Sequence, residues 1–226
     1  MTNVRDDSVE PDPGFAELYA RLPDAVDLEP WLAFARAAAP PVLYLGIGAG
    51  RLAVPLHLAG VQLIGVDAHP GMLAHLATRL PGTELIQSRL EDLQLQRRFD
   101  LVIVPSNILY TVARLRGAAV HVAAGGRLAF ELANPHWVRA GGGAGVRVPR
   151  FDGNEARLEI DYEVAGLTYT QVADISLVWP EEVDRWLSSA GMDLERMFGQ
   201  GNGDLTSSST YYVVARPLGS IRVNRR

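Results

Sequence analysis

The chain has 226 residues, 48% of them hydrophobic, no cysteine and a formal charge of -5. That length suits one domain with a sizeable core, and the missing cysteines exclude disulfides, thiolate nucleophiles and cysteine metal sites. An acidic chain without a basic, aromatic-interleaved stripe does not suit nucleic acid, and all 21 basic residues are arginine, which removes the lysine of a phosphate-binding P-loop. No signal peptide or long apolar span is visible, so the cytoplasm is the expected location and no membrane partner is expected.

Residues 1–14 are acidic, contain proline and hold little apolar material, so a loose tail is expected there. Residues 15–22 and 27–39 read as helices, the second with Pro30 in its first turn. Residues 42–50, V-L-Y-L-G-I-G-A-G, then join a short apolar strand to a turn with glycines at 46, 48 and 50. A helix over 51–58 follows, its N-terminus toward the glycine turn, and Gly60 closes it. A second β-rich run over 61–66 delivers Asp67, whose carboxylate can accept hydrogen bonds from two ribose hydroxyls. The turn is G-x-G-x-G and Arg51 stands where dinucleotide binders need a third-spaced glycine, which disfavours NAD and FAD.

Pro70 marks the start of the next helix, residues 100–104 read as a buried strand, and residues 107–122 read as a helix ending at a Gly125-Gly126 turn. The alternation from 42 to 132 predicts a parallel sheet covered on both faces, with ligands beyond the carboxyl ends of its strands. Gly46, Asp67, Asp92, Ser106 and Glu131 are thereby expected around one crevice. After Leu132, three β-rich runs near 146–151, 156–164 and 167–178 predict an antiparallel lid, or alternatively a dimer face. A helix from 179 to 189, a strand over 192–198 and a last strand over 211–216 complete one domain spanning 15–217, with the lid at about 140–178 and a tail at 218–226.

These segments, in this order, resemble class I S-adenosylmethionine-dependent methyltransferases of the small-molecule type. The glycine turn resembles that family's first motif, Asp67 its ribose-binding acid, Ala68 to Met72 the residues near the adenine, and residues 90–93, L-E-D-L, the segment along the adenine edge. Residues 99–107 resemble the fourth strand and the loop above it, and residues 125–131 the turn and fifth strand. The resemblance implies an α/β, Rossmann-like fold with a seven-stranded, mostly parallel sheet, an antiparallel last strand and a β-rich lid after strand five. It implies S-adenosylmethionine as cofactor, S-adenosylhomocysteine as product, and cofactor contacts from Tyr19, Gly46, Gly48, Gly50, Arg51, Asp67, Ala68, Met72, Glu91, Asp92, Leu93, Pro105 and Ser106. One position departs from it: two residues before the first glycine the family carries an acid that helps fix the loop and the cofactor's ammonium, and here Tyr44 stands there. Glu91 or another acid is expected to compensate.

Methyl transfer needs an acceptor held in line with the methyl group more than it needs a base. Where a proton must leave, His136, directly after strand five, is the first candidate base, Tyr110 the second, and Glu131 can orient an amine or hydroxyl. No metal is expected, because the histidines form no H-E-x-x-H pair or compact cluster, and no G-x-S-x-G elbow supports hydrolase chemistry. The absence of an N-P-P-Y-type motif at residues 105–107 argues against adenine-N6 and glutamine acceptors. The expected activity is methylation of N or O on a small molecule, a secondary metabolite, by a monomer or homodimer. The alternatives are a methyltransferase fold turned to cyclisation or rearrangement, including pericyclic chemistry, and a non-catalytic ligand-binding module.

Overall fold

The computed structural model describes residues 2–7 and 9–219. Its central sheet is built first from β2 (Val42–Leu45), β3 (Leu63–Asp67), β4 (Glu84–Gln87), β5 (Phe99–Val104) and β6 (Val122–Ala133), all parallel. β10 (Met192–Gly199) and β11 (Thr210–Pro217) complete seven strands in the order β10-β11-β6-β5-β2-β3-β4, and β11 runs antiparallel to both of its neighbours. This is the expected Rossmann-like architecture.

Side-chain alternation on these strands separates two cores. Leu43, Leu45, Val102, Val104, Leu128, Phe130, Val213 and Ala215 pack on one face with α5 (Val112–Ala119) and α7 (Val183–Ser188). Val42, Tyr44, Leu101, Ile103, Ala129 and Val214 pack on the other with α2 (Trp31–Arg36), α3 (Ala53–Leu58) and α4 (Pro70–Arg79). Burial on both faces is why the strands read as nearly unbroken apolar runs.

A second sheet, order β1-β9-β8-β7, joins β7 (Val146–Asp152), β8 (Glu155–Val164) and β9 (Leu167–Ser176) in antiparallel pairs. These match the three β-rich runs of the sequence. The fourth strand corrects the expected loose tail: β1 (Thr2–Arg5) pairs in parallel with β9, Val4 is buried, and Asp12 caps α1 (Pro13–Arg21) by accepting from the Gly14 amide. One apolar side chain sufficed because Val4 enters a cluster with Phe15, Leu18, Met72 and Tyr169. Of the expected C-terminal tail, residues 220–226 lie outside the described residues.

Three element boundaries also differ. The helix expected over 107–122 is only α5, because Asn107 Oδ1 accepts the Ala133 amide at 2.9 Å and Thr111 caps the helix start. Gly125-Gly126 lies inside β6, at a register shift against β5, and a Cβ on Gly126 would come within 2.9 Å of the Phe99 and Asp100 carbonyls. The second leading helix is shortened to α2, since the Asp27 side chain turns the chain by accepting from the Glu29 amide and Pro30 sits at the cap.

Candidate active site

The glycine turn after β2 and Asp67 at the end of β3 are joined directly. Asp67 Oδ2 accepts from the Gly48 amide and Oδ1 from the His69 amide, each at 2.8 Å. Burial still pushes this carboxyl above its ordinary range, with the His69 and Gly48 amides only partly offsetting the lost hydration. Its remaining lone pairs therefore gain from two hydroxyl donors, which a ribose diol supplies.

Gly46, Gly48 and Gly50 all have positive φ, at +71°, +57° and +90°. At Gly46 a Cβ would stand 2.6 Å from Ile108 Cδ1, whereas at Gly48 it would meet nothing within 4 Å, so the loop presents bare backbone to an open crevice. The loop is braced from behind: Arg79 donates to the Ala49 carbonyl at 3.0 Å and makes a two-pronged pair with Asp24, and Arg51 donates to the Pro23 carbonyl at 2.9 Å.

The second sheet and α1 close over this loop. Tyr19 and Tyr162 both donate to Gln171 Oε1, at 3.3 and 3.1 Å, and the Arg51 guanidinium lies 5.8 Å from the Tyr19 ring centre. Asp6, just after β1, is accessible to solvent yet surrounded by protein, as a side chain on a crevice wall would be. Its carboxyl is pushed up to about 6 by burial and then by the Asp67 charge, while Arg114 pulls the other way. Nothing in the acidic, proline-containing start of the chain marked Asp6, and the β-rich pattern did not reveal which side chains of β8 and β9, such as Tyr162 and Gln171, would face the loop.

The adenine-side residues divide. Met72 and Leu93 are core side chains, 3% and 5% exposed, so a nucleoside would meet the backbone beside them. Ala68 is half-buried after Asp67, and Asp92 is exposed, its amide donating to the Arg89 carbonyl. Glu91 corrects one expectation: its carboxylate is held by Arg114 at 2.9 Å, with Arg89 at 3.7 Å, and does not compensate for Tyr44. Pro105 and Ser106 are half-buried beyond β5, the Ser106 hydroxyl donating to the Pro105 carbonyl at 2.6 Å.

Among the candidate catalytic groups, His136 is engaged by Glu181 at 3.3 Å and stands edge-on to Trp179 at 5.0 Å; its described partners include no residue of the glycine loop. Tyr110 lies against Arg114, 4.6 Å from ring centre to guanidinium, and burial raises its phenol, which makes it a hydrogen-bonding group and not a base near neutrality. Glu131 is different. It has no hydrogen-bond or ion-pair partner among the described residues, and burial pushes it up to about 7. Such a carboxyl can take a proton or bind a cation.

The sheet order and the glycine loop define the class: an α/β fold of the class I methyltransferase type. Residues 42–126 match the family model described as "Methyltransferase domain". Solved structures extend the fold likeness over nearly the whole chain. An S-adenosylmethionine-dependent methyltransferase from Clostridium acetobutylicum superposes with a TM-score of 0.73 at 14% identity, covering 91% of this chain and 98% of that one. The CcbJ methyltransferase from Streptomyces caelestis gives 0.64 at 21% identity, covering 94% and 92%. The amino pentose methyltransferase CalS10 from Micromonospora echinaspora, solved with S-adenosylmethionine bound, gives 0.57 at 21% identity, covering 90% of each chain. None of the curated proteins matches the chain in sequence.

S-adenosylmethionine fits the residues present. Asp67 would take the ribose hydroxyls, the bare glycine backbone would border the methionine portion, and Arg51, directly after the turn, would offer its carboxylate a cation. When bound, the cofactor supplies a methyl group on a sulfonium, already activated for attack.

Proposed function

We propose that this protein transfers a methyl group from S-adenosylmethionine to nitrogen or oxygen of a small molecule, a secondary metabolite, that enters beyond β5 and β6 beside Ser106 and Tyr110. The observation that carries the reading is that α1 and the second sheet stand over the glycine turn: Ala49 shares an apolar cluster with Val4, Phe15, Leu18 and Tyr169, and Tyr19 and Tyr162 both donate to Gln171. The Asp6 carboxylate alone is within electrostatic reach of Asp67 on β3, Tyr19 on α1, Tyr110 beyond β5 and Tyr162 on β8. A site bordered by elements of both sheets and by α1 suits a compact acceptor. The second sheet acts as the lid on this side and brings an aromatic, polar wall suited to a hydroxylated or amino-bearing molecule. That CalS10 acts on an amino pentose makes amino sugars the first acceptors to try.

The chain's own contribution is positional: the loop and Asp67 orient one reactant, the Ser106 to Tyr110 segment borders the other, and closure excludes water. An amine that arrives neutral needs no base. Incubation with S-adenosylmethionine and a panel of amino sugars, phenols and hydroxylated polyketides should yield S-adenosylhomocysteine and an acceptor heavier by one methylene unit. A product of unchanged mass, formed equally well without the cofactor, would replace this reading with a rearrangement.

A further inference from the structure

We propose that Glu131, set between the phenols of Tyr44 and Tyr212, is the receptor for the α-ammonium group of the cofactor. The inference rests on the reading that the crevice takes S-adenosylmethionine, and adds which carboxylate holds the zwitterionic end.

Strand order creates the site. β2, β5 and β6 are adjacent, Tyr44 pairs with Ile103, and Ile103 pairs with Ala129. Glu131 lies two residues beyond Ala129 on the same face, opposite Tyr212 of β11. Its charge is the strongest that the Tyr44 phenol feels, ahead of Asp67 and Arg51, and it is also the strongest that Tyr212 feels, ahead of Asp27. Those are the charged groups that face the three side chains from β3, the glycine turn and the segment before α2. Tyr212 is itself fixed by Trp31 at 5.6 Å and Phe198 at 5.2 Å between ring centres. The outcome is a carboxylate without a partner among the described residues, walled by aromatic rings.

A carboxylate so placed needs a cation, and burial holds it at about 7, so pairing with an ammonium recovers the cost of its ionisation. Tyr44 feels both Glu131 and Arg51. One anion and one cation about a single phenol, with the ribose acid Asp67 also in reach, complement an amino-acid zwitterion joined to a nucleoside. A simple amine would not use Arg51. The acid lost at position 44 is thus supplied from two strands away, and Glu131 is a positioning residue for the cofactor instead of a group acting on the acceptor.

The test is calorimetric binding of S-adenosylhomocysteine and of 5′-methylthioadenosine, which lacks the amino-acid end, to wild type and Glu131→Gln. Substitution should weaken S-adenosylhomocysteine by about 10- to 100-fold and leave 5′-methylthioadenosine unchanged, an effect typical of a lost charge-assisted hydrogen bond. Retained 5′-methylthioadenosine binding also reports an intact fold. Independently, the wild-type preference for S-adenosylhomocysteine should grow from about pH 6 to about pH 8 as Glu131 ionises. Repeating the pH series in Asp6→Asn separates the titration of Asp6, whose strongest neighbouring charge is Asp67, from that of Glu131. An unchanged ratio in Glu131→Gln, equal loss of both ligands, or a wild-type ratio flat with pH overturns the proposal while leaving the methyltransferase reading in place. Wild-type protein that binds neither ligand overturns both.

Discussion

The Gly48 amide donates to Asp67 Oδ2 at 2.8 Å, so the turn after the first central strand is anchored by the acid that ends the second. A single carboxylate shapes the loop and, in the proposed function, meets the ligand as well. Asp67→Ala should therefore weaken S-adenosylhomocysteine by at least about 100-fold, more than the loss of two neutral hydrogen bonds, because the loop loses its anchor as well. Calorimetry on the purified variant, with circular dichroism to show the fold, decides it, and unchanged affinity would remove Asp67 from the site.

Gly46 and Gly48 should respond differently to alanine. Both sit at positive φ, which costs an L-residue about 1–2 kcal/mol, but only at Gly46 would the new methyl also collide with Ile108. Gly46→Ala should lower the unfolding midpoint further than Gly48→Ala. Gly48→Ala, with open space beside it, should instead show the larger loss of ligand affinity relative to its loss of stability. Thermal melts paired with titrations read both, and identical profiles for the two variants would contradict the loop geometry.

Glu131 makes ligand-free stability depend on pH. Its folded carboxyl is raised from 4.5 to about 7, so between those values the folded protein holds a proton that the unfolded chain has released, and stability falls as pH rises through that window. Glu131→Gln should stabilise the ligand-free protein by roughly 1–3 kcal/mol at pH 8 and by nothing at pH 4. Urea unfolding at the two pH values measures this, and a gain equal at both would show that ionisation is not its source.

The N-terminal strand should matter for the site and not only for its own pairing. Val4 is 1% exposed and shares a cluster with Ala49 of the glycine turn and Met72. Val4→Ala should cost about 1–2 kcal/mol and reduce cofactor affinity several-fold through the neighbouring turn. Removal of residues 1–7, which takes away Asp6 with the strand, should reduce affinity further. Full affinity in the truncated protein would return the segment to the status of a dispensable tail.

What could be read from residue order was whatever depends on neighbours in the chain. Glycines at 46, 48 and 50 announce a left-handed turn because glycine alone adopts that backbone without a Cβ penalty, and Asp67 follows at the end of the next apolar run. The strands of the central sheet announced themselves because burial on both faces leaves no polar alternation, and Pro70 and Trp179-Pro180 marked helix starts that the structure contains. The helix expected over 107–122 failed for a nonlocal reason: Asn107 is claimed by the Ala133 amide from another strand.

Tertiary structure alone decided which distant residues share the crevice. Polar, acidic composition made the first fourteen residues look unstructured, since two scattered valines are too weak a local signal, and only a neighbouring strand with an unpaired edge and an apolar cluster could order them. Tyr44 looked like a lost charge for the same reason. Its spacing from Gly46 is written in the chain, but its closeness to Glu131, 87 positions later, depends on β2, β5 and β6 lying side by side. Chain order determined the turn, the acid at the end of the next strand and the sheet's strands, because backbone sterics and burial pattern act locally. The order of strands across the sheet, a property of packing, determined where the charges stand.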